Sequence, residues 1–160
     1  MRNPEAKILS PQAAHTYCRE QLRLGKKTVF TNGCFDLLHV GHIRYLNEAR
    51  SKGDLLIVGL DTDSAVRKLK GKNRPLNPLK ERLRVIAALE CVDVVTWFNG
   101  ANPIPLIKRI KPAVLVKGGD WKVKDILGSS QVMSWGGKVF SLPYVKGKST
   151  TKLVQKILHS

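Results

Sequence analysis

Thr31-Asn-Gly-Cys-Phe-Asp-Leu-Leu-His-Val-Gly-His42 is the stretch that decides the fold. It follows a short apolar segment typical of a β-strand and leads into a segment with helical periodicity. Two histidines, His39 and His42, flank Gly41 at this junction. In an α/β protein such a junction presents free backbone N–H groups and the positive end of a helix dipole to an anion. The stretch therefore predicts a nucleotide site, where imidazoles can contact a polyphosphate.

The segments on either side of this stretch alternate between strand and helix patterns. Serine, asparagine and proline mark helix starts, and glycine marks helix ends. The predicted strands are residues 28–32, 55–60, 92–98, 113–117 and 138–142. The predicted helices are residues 11–25, 41–52, 62–69, 79–90, 102–110, 126–135 and 149–158.

The strand segments are continuous apolar runs, the pattern of strands that are covered on both faces. Right-handed crossovers between them give a doubly wound, Rossmann-like, five-stranded parallel sheet in a single α/β domain. We expect residues 28–158 to form the core and residues 1–27 a helical extension of it. In such a sheet the ligand lies beyond the carboxyl ends of the strands. The loops after strands one, two, four and five therefore carry the candidate site.

Charge is the unusual feature of the composition. Lysine and arginine number 28 against 12 acidic residues, a formal net charge of +16 over 160 residues. This balance favours anionic partners, either nucleic acid or phosphorylated small molecules. A basic nucleic-acid-binding module is thus one alternative, although aromatic residues are not interleaved with the basic ones and no recognition motif is present.

The composition also bears on compartment and metal content. No apolar run approaches the ~20 residues that cross a bilayer, and the first residues lack the apolar core of a signal peptide. We therefore expect a cytoplasmic protein without a membrane partner. Three cysteines, Cys18, Cys34 and Cys91, share no Cys-x-x-Cys spacing, so neither a disulfide framework nor a structural zinc site is expected.

The histidine pair distinguishes the predicted site from other nucleotide sites. The pattern is neither G-x-G-x-x-G nor G-x-x-x-x-G-K-[ST], so a dinucleotide-binding dehydrogenase and a P-loop protein are disfavoured. An i, i+3 spacing places His39 and His42 on one side of a first helical turn. No cysteine, glutamate or third histidine has ligand spacing nearby, which argues against zinc. Binding of phosphate by imidazole N–H groups needs no metal.

Residues 31–42 resemble the T-x-G-x-F-D-x-x-H-x-G-H signature of the cytidylyltransferase-like nucleotidyltransferase superfamily. Ser149-Thr150-Thr151 is similar to its second signature, S-[ST]-T at a helix start. The resemblance implies transfer of a nucleotidyl unit from a nucleoside triphosphate to a phosphate, with release of pyrophosphate. A hydroxyl-rich helix start is also an anion site on physical grounds, although an isolated S-T-T is more often a simple helix cap.

Further segments resemble the heptose 1-phosphate adenylyltransferases of this superfamily. They are Gly53-Asp-Leu-Leu-Ile-Val-Gly59, Leu69-Lys-Gly71 with Arg74-Pro75, Ala87-Ala-Leu-Glu-Cys-Val-Asp93, Leu115-Val-Lys-Gly-Gly-Asp120 and Gly147-Lys-Ser-Thr-Thr151. The resemblance implies that ATP and D-glycero-D-manno-heptose 1-phosphate give ADP-heptose for lipopolysaccharide. It implies Mg²⁺ carried by the ATP phosphates, and commonly a homodimer. Many relatives are fused to a sugar kinase, and none is present in these 160 residues, so a stand-alone form is expected.

The resemblance also implies a role for individual residues. The expected catalytic residues are His39, His42, Lys70 and Lys72. The expected nucleotide-binding residues are Thr31, Asn32, Gly33, Cys34, Phe35, Gly41, Arg82, Gly118, Gly119, Asp120, Trp121, Ser149, Thr150 and Thr151. Asp36 and Lys117 are expected on the sugar-phosphate side, and no residue is expected to bind a metal directly.

Some positions depart from the pattern of these relatives. Asn99 and Asn102 stand in a stretch that is usually acidic, and Ala113 replaces an acid before strand four. Trp121 stands where tyrosine is common, which retains an aromatic ring. The alternatives that stay open are a cytidylyltransferase for glycerol or choline phosphate, another adenylyltransferase, and a scaffolding protein built on an inactive enzyme fold. The intact signatures argue against the last.

Overall fold

A five-stranded, all-parallel sheet forms the centre of the computed structural model, which describes residues 3–100, 102–143 and 149–158. Its strands lie in the order β3-β2-β1-β4-β5. They are β1 Thr28–Gly33, β2 Leu55–Asp61, β3 Val94–Phe98, β4 Val114–Gly118 and β5 Lys138–Leu142. The prediction of a doubly wound, Rossmann-like α/β domain is thereby confirmed.

Seven α-helices precede, connect and follow the strands in the described part of the chain. Ser10 caps the first, since its hydroxyl accepts the N–H of Ala13 at 3.2 Å, and Pro11 fills the first helical position. The helices are α1 Pro11–Arg23, α2 Val40–Arg50, α3 Asp63–Lys70, α4 Leu79–Ala87, α5 Ile104–Ile110, α6 Ser129–Ser134 and α7 Thr150–Leu158. No helix among the described residues is both long and apolar enough to span a membrane.

The core lies on both faces of the sheet. Val29 of β1 packs on one face, with Leu46 of α2 and Ile86 of α4. Phe30, the next residue, packs on the opposite face with Ile107 of α5. Successive side chains of a strand point to opposite faces, so both must be apolar when helices cover both. This explains the continuous apolar runs of the strand segments.

The winding direction reverses between β1 and β4, which places the topological switch point there. β1 pairs with β2 from Thr28 to Gly33, but its ladder with β4 contains only Val29–Val114 and Phe30–Leu115. Toward their carboxyl ends the two strands are bridged instead by the Tyr45 hydroxyl, which donates to the Val116 carbonyl at 3.2 Å. A crevice at this end of the sheet is where an open α/β fold binds its ligand.

One predicted helix is wrong in its first half. Residues 126–135 form a helix only from Ser129 to Ser134, and a 3-10 turn covers Val123–Asp125 instead. The interruption lies at Gly128, whose φ of 92° is in the left-handed region. A Cβ at this residue would lie 2.5 Å from Ile107 Cδ1, so the close approach of α5 requires glycine here.

Two other boundaries differ from the prediction for reasons of hydrogen bonding. The third strand begins at Val94 rather than at residue 92, because the Asp93 carboxylate accepts the N–H of Leu56 and the Asp93 side chain thus replaces a ladder bond. The preceding helix ends at Ala87 rather than at residue 90. Before α1, Ile8 bridges to Val95 and Leu9 donates to the Val95 carbonyl at 2.9 Å, so this segment lies along the edge of β3.

Candidate active site

The loop after β1 carries the first signature and is shaped by a folded-back aromatic ring. Phe35 has a φ of 45°, and its ring lies 5.4 Å from that of His42, centroid to centroid. A Cβ at Gly33 would lie 3.1 Å from Phe35 Cε2. Gly33 thus makes room for the Phe35 ring, and the nucleotide-binding role that the resemblance implies for Gly33 stays a prediction.

The two histidines lie together at the start of α2. His39 is the N-cap residue, and its Nδ1 accepts the N–H of Gly41 at 3.1 Å. In the neutral ring the proton therefore resides on Nε2, which acts as a donor. The His39 and His42 rings are stacked, with centroids 3.9 Å apart and an interplanar angle of 24°. Both imidazoles thus lie at the positive end of the α2 dipole, where an anion binds favourably.

His42 is held in its neutral form. Burial lowers its pKa to about 4, and the charges of His39 and Lys70 act in the same direction. Its Nδ1 is buried and has no hydrogen-bond partner among the described residues. A buried polar atom without a partner is costly and needs an explanation. A bound anion nearby would favour the charged ring, so binding of a polyphosphate and protonation of His42 support each other.

Two lysines follow β2 by way of α3. Lys70 is the last residue of this helix, and Gly71 ends it with a φ of 97°. The charge of Lys70 acts on His42, Cys34 and Asp61 alike, so this ammonium lies close to the site. Lys72 is exposed in the turn that follows. Lys70 therefore lies near the histidine pair, and Lys72 follows it by two residues.

Asp36 fastens the loop after β1 to the segment before α4. Its buried carboxylate accepts the N–H groups of Leu76 and Asn77 and the Arg74 Nε at 2.7 Å. Burial raises the pKa of Asp36, but the bonds from Asn77, Leu76 and Arg74 outweigh burial and hold it below its usual value. The carboxylate is therefore occupied by protein donors, which differs from the sugar-phosphate role expected for Asp36.

The Arg82 side chain is buried, and its guanidinium bonds to the protein. Its side chain is 0% exposed. The guanidinium donates to the carbonyls of Asn77, Cys34 and Asp61 and to Asp63 Oδ1, at 3.0, 2.6, 2.9 and 2.7 Å. These bonds join the loops after β1 and β2 to the start of α4. The placement contrasts with the phosphate-facing role expected for this arginine.

The second signature reaches the first at the start of α7. The Thr150 hydroxyl donates to the Leu37 carbonyl at 3.1 Å, two residues before His39. Ser149 begins the helix, since its carbonyl accepts the N–H of Leu153 at 3.1 Å, and Thr151 is exposed on the first turn. Residues 147 and 148 of the motif lie outside the described residues. The structure therefore brings the hydroxyl-rich helix start to the loop that carries the histidine pair.

The loop after β4 is tied to β5. The N–H of Gly119 donates to the Leu142 carbonyl at 2.8 Å, and the Ser141 hydroxyl donates to the Gly119 carbonyl. Trp121 donates from its ring Nε1 to the Gly118 carbonyl at 3.1 Å and leaves half of its surface exposed. Asp120 is exposed beside it. This part of the site presents backbone groups and an exposed aromatic face at the same rim as the histidines.

Residues at the end of β1 connect this strand to α2 and β4. Thr31 is fully buried, and its hydroxyl bonds to that of Tyr45. The carbonyl of Asn32 accepts Lys117 Nζ at 3.3 Å. Tyr45 also contacts Gly118, where a Cβ would lie 3.2 Å from Tyr45 Cε2. Tyr45 thus fixes the spacing of β1 and β4, a role that its helical spacing alone did not reveal.

Asp61 is a charged residue that the motifs did not single out. It is 5% exposed, and its carboxylate accepts a bond from Cys34 Sγ at 3.6 Å. The sequence signal that could have identified Asp61 is its place at the end of an apolar strand segment, since acidic residues are seldom buried. Elsewhere, no group of three or more histidine, cysteine or acidic side chains could hold a metal within the described ranges.

The positions that depart from the relatives serve local capping. Asn102 Oδ1 accepts the N–H of Ile104 at 3.0 Å at the start of α5. Asn99 accepts a bond from the Thr62 hydroxyl at 3.3 Å. The N–H of Ala113 donates to the Thr28 hydroxyl at 3.4 Å before β4 begins. The asparagines thus satisfy backbone and hydroxyl donors, and an acid at these positions is not needed for the observed fold.

The model of the cytidylyltransferase-like family matches residues 30–156. The match includes both segments that meet at Leu37 and Thr150. The chain belongs to the cytidylyltransferase-like family.

Curated relatives match nearly the whole chain. It is 50% identical over 147 residues to the bifunctional protein HldE of Citrifermentans bemidjiense and 52% identical over 134 residues to that of Geobacter sulfurreducens. These alignments cover 92% and 84% of this chain but 30% and 27% of the relatives. The chain thus spans under a third of the length of the curated relatives it matches.

Solved structures share the fold. The lipopolysaccharide core biosynthesis protein from Thermoplasma volcanium superposes with a TM-score of 0.64 at 29% identity, covering 78% of this chain and 100% of that one. The pantoate-beta-alanine ligase from Francisella tularensis superposes with a TM-score of 0.58 at 18% identity, covering 96% of this chain and 78% of that one. The second likeness concerns the fold alone.

Proposed function

We propose that this domain transfers AMP from ATP to D-glycero-D-manno-heptose 1-phosphate, giving ADP-heptose and pyrophosphate for lipopolysaccharide. The observation that carries the proposal is the hydrogen bond from Thr150 to Leu37, which places the hydroxyl-rich start of α7 beside the stacked pair His39 and His42. We infer that the imidazoles of the histidine pair and the hydroxyl and N–H groups at the start of α7 bind the same polyphosphate. The curated relatives named HldE and the structure titled a lipopolysaccharide core biosynthesis protein support this substrate class.

The proposed reaction is a single in-line displacement. A phosphate oxygen of the sugar phosphate attacks the α-phosphorus of ATP, the bond from that phosphorus to the bridging oxygen breaks, and pyrophosphate leaves with the electron pair. The phosphate nucleophile is already ionised at pH 7, so no strong general base is needed. The protein has to hold two anions in line and to stabilise the charge of the leaving group.

His39 and His42 contact the triphosphate in this proposal. His39 offers Nε2–H, because its Nδ1 is used by Gly41. His42 enters as a neutral ring and gains a proton as the phosphates approach, since their charge raises the pKa that burial had lowered. Lys70, with Lys72 in the next turn, neutralises the bridging oxygens. Ser149 and Thr151 provide hydroxyl groups and the start of α7 provides N–H groups for the outer phosphates, while the Thr150 hydroxyl donates to the Leu37 carbonyl.

The loop after β4 forms the adenine pocket in this proposal. The backbone groups of Gly118 and Gly119 are held in place by β5, and the exposed ring of Trp121 offers a face on which a base stacks. We assign Lys117 of β4, whose Nζ donates to the Asn32 carbonyl, to the side of the site that binds the sugar phosphate. The side-chain bonds of Arg82, Asp36 and Thr31 are to the protein, so we assign these three as positioning residues that hold the loops.

Mg²⁺ is proposed to reach the site on the phosphates of ATP. Mg²⁺ commonly binds through one or two carboxylates together with substrate phosphates. Asp61 is a carboxylate at the edge of the described site, but protein donors or cations surround it. The cation would neutralise phosphate charge when bound.

We further propose a cytoplasmic protein, because the cysteines Cys18, Cys34 and Cys91 are free thiols, as in a reducing compartment. The homodimer stays a prediction.

A cytidylyltransferase acting on glycerol phosphate or a similar small phosphate is the second candidate, because the matching family model is described as cytidylyltransferase-like. A thermal-shift comparison of ATP with CTP separates the two, since a bound ligand raises the melting temperature by mass action. We expect ATP with Mg²⁺ to give the larger shift. A larger shift with CTP would favour the second candidate.

A pyrophosphate-release assay with a panel of sugar phosphates and nucleotides tests the function itself. We expect turnover with ATP and heptose 1-phosphate, and little with glycerol phosphate or with CTP. Absence of pyrophosphate with every sugar phosphate would contradict the proposal. Because the contacts are electrostatic, the affinity for ATP should also weaken as ionic strength rises.

A further inference from the structure

Strands β1 and β4 lose their ladder toward their carboxyl ends, although both stay paired with their outer neighbours over that stretch. A backbone carbonyl inside a protein that has no ladder partner needs another donor. Side chains supply donors at two carbonyls in this stretch. The Tyr45 hydroxyl donates to the Val116 carbonyl at 3.2 Å, and Lys117 Nζ donates to the Asn32 carbonyl at 3.3 Å. The ends of the two strands are thus bridged by side chains.

The Tyr45 side chain contacts both strands. Its hydroxyl bonds to the hydroxyl of Thr31 on β1 and to the carbonyl of Val116 on β4. Its ring occupies the space beside Gly118, two residues further along β4, where a Cβ would lie 3.2 Å from Tyr45 Cε2. Because the hydroxyl is held at one end and the ring packs against Gly118, Tyr45 determines how far apart β1 and β4 lie at the crevice.

Gly118 connects Tyr45 to the loop after β4. On its other side Gly118 pairs with Leu142 of β5, so its backbone lies between the Tyr45 ring and β5. The Gly118 carbonyl accepts Trp121 Nε1 at 3.1 Å, and half of the Trp121 surface is exposed. The orientation of the exposed indole therefore depends on the position of Gly118, and through Gly118 on Tyr45.

The helix that carries Tyr45 also carries the histidine pair at its start. His42 precedes Tyr45 by three residues, and residues with this spacing lie on the same side of a helix. Helix α2 thus joins the stacked rings of His39 and His42 to the Trp121 loop by way of Tyr45. A ligand that contacts both parts binds more tightly when the distance between them is fixed before it arrives.

We propose that Tyr45 is a positioning residue that sets the distance between the histidine pair, which binds the triphosphate, and the loop of Gly118 and Trp121, which binds the adenine. Its hydroxyl bonds and its ring contact are to the protein, so Tyr45 acts through other residues. The inference rests on the proposed function for its ligand, ATP. The effect of Tyr45 falls on the affinity for the nucleotide, whereas the acceptor and the chemical step do not depend on it.

An NMR spectrum of the indole N–H groups tests the structural part on the whole chain without any ligand. Tyr45→Phe removes the hydroxyl and keeps the ring. We expect the Trp121 signal to move, because Gly118 is no longer held in place, and the Trp135 signal to stay. Trp135 is the matched internal reference, since its Nε1 donates to the Pro112 carbonyl at the same distance of 3.1 Å. An unchanged Trp121 signal, or equal changes at both indoles, would overturn the proposal.

Tyr17→Phe is the matched control variant. Tyr17 is also half-buried, but it lies on α1 and packs on the opposite face of the sheet, so this variant should leave the Trp121 signal unchanged. A shift as large as that in Tyr45→Phe would overturn the proposal. If Tyr45→Phe does not fold, Thr31→Val takes its place, because it removes the bond between the two hydroxyls and keeps the bond to Val116. In that case an unchanged Trp121 signal in Thr31→Val would overturn the proposal.

Kinetics then test the effect on the nucleotide. In Tyr45→Phe we expect the KM for ATP to rise roughly 2- to 10-fold, the scale of one neutral hydrogen bond. The KM for the sugar phosphate and kcat should stay near their wild-type values, and Tyr17→Phe should leave all three constants unchanged. A general loss of structure would instead affect both substrates and the rate. A KM for ATP that is unchanged, or raised no more than the KM for the sugar phosphate, would overturn the role.

The failures of the two proposals differ. If the Trp121 signal moves in Tyr45→Phe but the wild type releases no pyrophosphate with any sugar phosphate, the proposed function fails and only the structural link from Tyr45 to Trp121 stands. If the wild type turns over and the Trp121 signal is the same in both proteins, the role of Tyr45 fails and the proposed function stands.

Discussion

The Thr150 hydroxyl donates a hydrogen bond to the Leu37 carbonyl across 3.1 Å, joining residues 113 positions apart in the chain. Leu37 belongs to the loop that precedes the stacked pair His39 and His42. The bond therefore fixes the start of α7 relative to the imidazoles. We therefore expect a triphosphate that contacts one group to reach the other, and this is the basis of the proposed site.

Thr150→Val should weaken both the fold and the site. Valine has nearly the shape of threonine but cannot donate to the Leu37 carbonyl, so we expect a loss of about 1 kcal/mol in the free energy of unfolding. We also expect a higher KM for ATP. Urea denaturation and a pyrophosphate-release assay measure the two effects.

Thr151→Val is the matched comparison, because Thr151 is exposed on the same helical turn. It should leave the free energy of unfolding near the wild-type value and still raise the KM for ATP. Equal stability losses in the two variants would show that the Thr150 bond does not anchor α7.

His42→Ala should lower turnover by ~10²–10⁴, the scale of losing one preorganised donor that stabilises developing charge. The rate of pyrophosphate release at saturating substrates measures it. His15→Ala is the control, because His15 lies on α1 and contacts the Arg109 carbonyl, away from the signature. A wild-type rate for His42→Ala would remove this histidine from the mechanism.

Arg82→Met should destabilise the fold by about 3–5 kcal/mol, the range for breaking a buried charged network. It removes the donor to three backbone carbonyls, which join the loops after β1 and β2 to the start of α4. Arg84→Met is the control, since its ion pair with Glu5 is exposed and contributes at most about 1 kcal/mol. Denaturant unfolding distinguishes them, and equal losses would contradict a structural role for Arg82.

The neutral state of His42 predicts a pH dependence of stability. Burial lowers its pKa from the usual 6.5 to about 4 in the folded protein. The unfolded chain therefore binds a proton between these values that the folded protein does not. The contribution is present above about pH 6.5 and is lost as the pH falls toward 4.

Unfolding free energies at several pH values test this dependence in the wild type and in His42→Gln. The wild type should lose stability more steeply than the variant as the pH falls from 6.5 to 4. Parallel curves would show that His42 titrates normally in the folded protein.

The sequence predicted the order and type of the strands because their apolar runs and flanking glycines are local signals. It failed at residues 126–135, because Ile107 of another helix approaches Gly128 there. Strand boundaries such as the one at Asp93 depend on a side chain bonding across strands. Contacts of this kind join distant parts of the chain and leave no local pattern.

The candidate site, like the fold, can be predicted from the sequence only in part. The signatures predict His39, His42 and Thr150 as site residues from spacing and residue type, and the structure brings the segments that carry them together. The signatures do not distinguish residues that contact a ligand from residues that hold the loops in place. Arg82, expected to bind the nucleotide, lies buried among backbone carbonyls. Asp61 carries no motif, and its contact with Cys34 arises only when the loop after β1 lies beside the end of β2.

An NMR titration with ATP and Mg²⁺ tests the central claim most directly. It would follow the imidazole signals of His39 and His42 together with the backbone amides of Thr150 and Thr151. The account predicts that both groups respond with one common dissociation constant and saturate at one ATP per chain. A response confined to one group, or two separate dissociation constants, would contradict it.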